Sequence, residues 1–129
     1  MLANDITLDK QDGTDVVYRL LSQDAQGSRR IDITTNLSAP KLMTIRHSVQ
    51  GKGVDAVDRH LVSLTQTLAG SLAPRTLTVN FTVAVPRDTV VTSTIVKDLI
   101  TNLIDFLADG SIASLATMAN VDAVLRGES

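Results

Sequence analysis

The chain has no cysteine and no tryptophan, and only one Tyr and two Phe, so aromatic residues make up 2% of it. Without thiols there are no disulfides, no thiolate metal sites and no Cys nucleophile. So few aromatics suit neither a small-ligand pocket nor a base-stacking platform. No apolar run approaches the ~20 residues of a membrane span. The start Met1-Leu2-Ala3-Asn4-Asp5 has no basic start and no apolar stretch, so no signal peptide is expected. No Gly-rich phosphate loop follows a strand, and Gly51-Lys52-Gly53 reads as a turn. There is no HExxH, nucleophile elbow or paired-carboxylate spacing. Asp105 and Asp109 lie at helical i,i+4 spacing without a third ligand and read as a solvated face. The sequence therefore assigns no catalytic residue, no metal ligand and no cofactor, and the chain reads as a non-enzyme. What remains is 129 residues, 43% apolar and 20% charged, the composition of one globular domain.

The net charge of −2 conceals a segregation. Residues 1–28 carry five Asp against Lys10 and Arg19. Residues 88–129 carry five Asp and Glu128 against Lys97 and Arg126. The middle, 29–87, holds Arg29, Arg30, Lys41, Arg46, Lys52, Arg59, Arg75 and Arg87 against Asp32, Asp55 and Asp58. A basic centre between acidic ends suits a surface that meets a polyanion while another faces water.

The hydrophobic period places these segments on a fold. Asp5–Lys10 and Thr14–Ser22 flank Gln11-Asp12-Gly13, a hairpin signal. Gln26-Gly27-Ser28 reads as a break, and Arg30–Thr34 as an alternating strand. Lys41–Gln50 puts Thr44, Arg46 and Ser48 on one face, with Met43, Ile45, His47 and Val49 on the other. His47 there reads as a buried or interface histidine, and His60 as a local partner of Asp58 two residues away. Val57–Leu68 is a further strand. Arg75–Val85 alternates most cleanly, with Thr76, Thr78, Asn80 and Thr82 opposite Leu77, Val79, Phe81, Val83 and Val85. After Pro86 the period becomes helical. Thr92 or Ser93 caps a helix whose stripe includes Ile95, Leu99, Ile100, Leu103 and Leu107. Gly110 stops it and Ser111 opens a second helix, about Ile112 to Leu125. The expected class is α+β: a hairpin, a four-stranded antiparallel meander and two helices. Two short helices are little cover for so wide a sheet, and a dimer with helices laid over the partner's sheet solves that.

The string Arg75–Pro86, then Ile95-Val96-Lys97-Asp98-Leu99-Ile100, Leu107-Ala108-Asp109-Gly110 and Ala119-Asn120, resembles in order and spacing the coat proteins of small icosahedral single-stranded RNA bacteriophages of the levivirus type. The likeness extends over nearly the whole chain. It implies one coat-protein domain, 1–129, with a hairpin (1–28), an RNA-facing sheet (29–87) and dimerisation helices (88–129). It implies a homodimer that assembles into an icosahedral shell in the host cytoplasm and ends in the virion. The bare sheet face would bind and package single-stranded RNA, with a further role as translational repressor through an RNA hairpin. No membrane or small-molecule partner is implied.

Residue by residue, the resemblance assigns RNA contacts to Thr44, Arg46, Ser48, Arg59, Ser63, Thr65, Thr76, Thr78, Asn80 and Thr82. Thr78 stands where some members have a base-stacking Tyr, and Leu61 near a position often held by Lys. Arginines neutralise phosphates, while hydroxyls and amides bond phosphate, sugar or base edges. Thr is also simply at home on an exposed strand, whereas Asn80 is a poor strand former. The loop Ala69-Gly70-Ser71-Leu72-Ala73-Pro74 matches the family's symmetry-axis loop, with Gly70 supplying conformational freedom. Ile95, Leu99, Ile100, Leu103 and Leu107 match the dimer interface. The competing reading from the residues alone is a small dimeric α+β ligand-binding module.

Overall fold

Asp12 and Gly13 turn the chain as their types favour. Asp12 Oδ1 accepts from Thr14 N at 2.9 Å, and Gly13 N donates to the Lys10 carbonyl at 2.9 Å. In the computed structural model, which describes residues 2–108 and 118–128, this turn joins strands β1 (Asp5–Asp9) and β2 (Asp15–Asp24). There follow β3 (Gly27–Asp32), β4 (Lys41–Gln50), a turn of 3-10 helix at Gly53–Asp55, β5 (Val57–Leu68) and β6 (Arg75–Pro86). They form one six-stranded sheet in the order β1 to β6. This is the expected meander, with the hairpin as its first two strands. Helices α1 (Ser93–Leu107) and α2 (Ala119–Leu125) complete the chain. It divides into two compact units, Met1–Leu8 with Asp15–Arg87, and Asp9–Thr14 with Asp88–Ser129.

The expected break at Gln26-Gly27-Ser28 is a tight turn. Asp24 Oδ1 accepts from Gln26 N at 2.9 Å, so β2 runs to Asp24 and β3 starts at Gly27. A Cβ at Gly27 would overlap the Ile45 carbonyl oxygen on β4. Glycine is required there by the approach of a neighbouring strand. Strand β3 also ends earlier than expected: Asp32 Oδ1 accepts from Thr34 N at 2.9 Å and from Thr34 Oγ1 at 2.7 Å, curling the chain away after Asp32.

The core of the sheet unit is Val16 and Tyr18 of β2 with Met43 and Ile45 of β4, and Ile6, Val62 and Leu64 pack against it. On β3 the usual sense of alternation is inverted. Arg30 and Asp32 are buried, only 2% and 4% exposed, while Ile31 turns to the opposite face. The inversion is stable because both charges are hydrogen-bonded. Arg30 Nη2 donates to the Ala3 carbonyl at 2.9 Å, Nε to the Asn4 carbonyl at 3.3 Å and Nη1 to Ser28 Oγ. Asp32 is held by Thr34 as described. Burial, and secondarily the Asp32 charge, pushes the Tyr18 phenol above its ordinary value.

In the helical unit, Thr92 is the N-cap of α1, its Oγ1 accepting from Ile95 N at 3.4 Å. Asn120 Nδ2 donates to the Phe106 carbonyl at 2.7 Å, tying α2 to the end of α1. The expected stop at Gly110, the cap at Ser111 and the start of the second helix near Ile112 lie outside the described residues. None of the residues of α1 is buried. Ile95, Leu99, Leu103 and Leu107 are exposed, with Leu99 at 65%, and Ile100 is half-buried.

Candidate nucleic-acid interface

Antiparallel register decides which side chains share a face, because partners directly across a ladder point the same way. Three rows result. Arg29, Thr44, Ser63 and Asn80 stand side by side across β3 to β6. Next to them Arg46, Leu61 and Thr82 form a row, then Ser48, Arg59 and Ala84. On the other flank lie Arg19, Ile31, Leu42, Thr65 and Thr78, with Thr76 opposite Thr67 beyond. All ten residues named from the sequence fall on this one face, opposite the core of Met43, Ile45, Val62 and Leu64. Seven of them, Arg46, Ser48, Arg59, Thr76, Thr78, Asn80 and Thr82, are exposed, while Thr44, Ser63 and Thr65 are half-buried.

At the centre, Ser63 Oγ donates to Asn80 Oδ1 at 2.7 Å. The bond fixes the Asn80 side chain and leaves its amide nitrogen to donate outward. Four arginines occupy the face, but their charges are not equivalent. Arg46 Nη1 lies 3.1 Å from Asp24 Oδ2, and Arg19 Nε 3.6 Å from Asp5 Oδ2. The Gln26 amide, with Arg46 adding to it, holds the Asp24 carboxyl below the usual carboxylate range. Among the described residues, Arg29 and Arg59 have no ion-pair partner. Arg29 is the functional candidate that sequence reasoning passes over. The alternation of Arg30–Thr34 puts Arg30 on the polar, outward side, whereas the structure buries Arg30 and exposes Arg29.

The remaining expectations divide. Ala69–Pro74 is the β5–β6 connection, with Leu72 95% exposed at its tip. Gly70 is needed there for space, since a Cβ would overlap the Ala73 carbonyl oxygen. His47 is exposed rather than buried, because β4 emerges from the core after Ile45. Asp58 pairs with Arg87, at 2.8 Å from Nη2, rather than with His60. Among the described residues no three His, Asp or Glu side chains group in a way that would hold a metal ion, and no helix is long and apolar enough to cross a membrane.

The six-stranded antiparallel meander followed by two helices is a fold shared with coat proteins and virus-like particles of levi-like bacteriophages. The coat protein of bacteriophage EMS014 superposes with a TM-score of 0.74 at 13% identity, over 99% of this chain and 98% of that one. The virus-like particle of Beihai levi-like virus 21 matches at 0.67 and 16% identity, over 100% and 97%. The virus-like particle of bacteriophage ESE020 matches at 0.65 and 18%, over 100% and 99%. No family model and no curated protein matches the chain.

Proposed function

We propose that this chain is the coat protein of a levi-like phage: it dimerises, assembles into an icosahedral shell and packages single-stranded RNA against the polar sheet face. The observation that carries the reading is the register. It gathers Arg29, Arg46 and Arg59 with Thr44, Ser63, Thr78, Asn80 and Thr82 on one exposed face of a sheet whose fold is that of phage coat proteins. Arginines with interleaved hydroxyls and an amide are the chemistry of phosphate and sugar contacts. The paucity of aromatics places more weight on phosphates than on stacked bases. Repression through a specific RNA hairpin then rests on Asn80 and its neighbours.

Dimerisation is supported by two uncovered apolar surfaces. The stripe of α1 is exposed at Ile95, Leu99, Leu103 and Leu107, and on the core side of β6 Leu77 and Val79 are 57% and 60% exposed. β6 is moreover a sheet edge of twelve residues, open to pairing with another strand. A second copy, pairing edge to edge and laying its helix on this sheet, satisfies both surfaces. Negative-stain electron microscopy of the purified protein is the test. Hollow shells on the order of hundreds of ångströms wide, absorbing at 260 nm, are expected; a discrete small dimer free of nucleic acid at every salt concentration rejects the reading in favour of the ligand-binding module.

A further inference from the structure

The two histidines of the chain stand directly opposite each other, His47 on β4 and His60 on β5, both exposed on the face away from the polar rows. Their Nδ1 atoms are 2.9 Å apart, and the rings meet edge to face at 69° with centroids 5.1 Å apart. Ile45 and Val62 flank the pair on one side, Val49 and Asp58 on the other, and Val83 lies across from His60. Asp58 is occupied by Arg87 through three contacts of 2.8 to 3.1 Å, a pair neutral as a whole. His47 also borders a cavity of about 500 Å³ lined by Gln23, Asp24, Ser28 and Arg30 among others.

A neutral imidazole carries one proton on its two nitrogens, and which nitrogen holds it is adjustable. With both protons on Nε2, the two Nδ1 lone pairs face each other across 2.9 Å, and a modest turn of each ring aims both at one point beside the line between them. Converging imidazole lone pairs bind borderline divalent cations. At a metal–nitrogen distance of about 2.05 Å, donors 2.9 Å apart subtend about 90° at the ion. That is the cis angle of tetragonal Cu²⁺ or octahedral Ni²⁺. A tetrahedral Zn²⁺ site, with angles near ~109°, needs donors about 3.3 Å apart. Cu²⁺ also heads the affinity series for nitrogen ligands.

We propose that His47 and His60 form a two-imidazole binding site for a divalent transition-metal cation, with Cu²⁺ preferred. The ladder register holds both donors in place, and the cavity beside His47 has room for the waters that complete the coordination. The site lies on the opposite face from the RNA rows and is independent of the coat-protein reading.

The test is a titration of the purified full-length chain with CuCl₂ near neutral pH, followed by calorimetry and electron paramagnetic resonance. One Cu²⁺ per chain with coupling to two imidazole nitrogens is expected. His47→Gln and His60→Gln should each weaken binding about tenfold or more, and the double variant should lose the two-nitrogen spectrum. Both positions are exposed, so the variants should keep the wild-type circular dichroism. Zn²⁺ should bind more weakly than Cu²⁺. An unchanged spectrum in the double variant, a one-nitrogen spectrum in the wild type, or no binding by the wild type overturns the proposal; the last leaves the pair as a hydrogen bond only.

Discussion

At the scale of single residues, the polar face shows that side-chain type and available charge are different quantities. Arg46 and Arg59 are the arginines the sequence assigns to RNA, yet Asp24 compensates Arg46, whereas Arg59, together with Arg29, is exposed without an ion-pair partner among the described residues. Replacing Arg29 and Arg59 together by Ala should therefore lower RNA content and flatten the salt dependence of RNA affinity, by about 0.7 in log–log slope per lost contact. Arg46→Ala should do less. Filter binding across a salt series checks this, and equal effects from all three arginines would contradict it. On the opposite face, the hydrogen bond from Arg87, more than its charge at a distance, holds the Asp58 carboxyl below its ordinary value. A depressed carboxylate contributes stability above its unfolded value of ~3.9 that is lost as pH falls through the folded one. Asp58→Asn should lower the melting temperature at neutral pH and leave it unchanged in strong acid.

At the scale of elements, legibility followed how much each segment depends on its own residues. The strand read at Arg75–Val85 matches β6 to within one residue because Thr76, Thr78, Asn80 and Thr82 alternate with apolar residues, and Thr92 caps α1 by local chemistry alone. β3 is not read correctly, because its two boundaries and its sense are fixed from outside. The Ile45 carbonyl demands glycine at position 27, Asp32 bends the chain early, and the Ala3 and Asn4 carbonyls convert Arg30 from a surface residue into a buried one. The histidine pair was hidden for a similar reason, since His47 and His60 are thirteen positions apart and only the β4–β5 register unites them. Within the site, the ten assigned residues shared a face as alternation required, while the neutralisation of Arg46 by Asp24 needed the β2–β3 turn to bring them together. Gly27→Ala should cost about 1–3 kcal/mol through overpacking against β4, measurable by urea denaturation; an unchanged midpoint would show that β4 yields without strain.

At the scale of the whole molecule, the uncovered surfaces outweigh the small core. Val16, Tyr18, Met43 and Ile45 anchor one part of the sheet, while β6 and the stripe of α1 expose leucines and valines. If copies of the chain supply the missing cover, the loop tip belongs to a later contact than the helices do. Leu72→Asp should then leave dimers intact and prevent closed shells, whereas Leu99→Asp should impair the dimer itself; size-exclusion chromatography with light scattering separates the two. The free rim of β6 also has a kinetic meaning. In the proposed dimer, a strand of twelve residues with no neighbour on one side among the described residues pairs with a second molecule, so recovery from denaturant should behave as a bimolecular process. Halving the protein concentration should slow the last phase of refolding about twofold, and lone chains should drift meanwhile toward irregular aggregates.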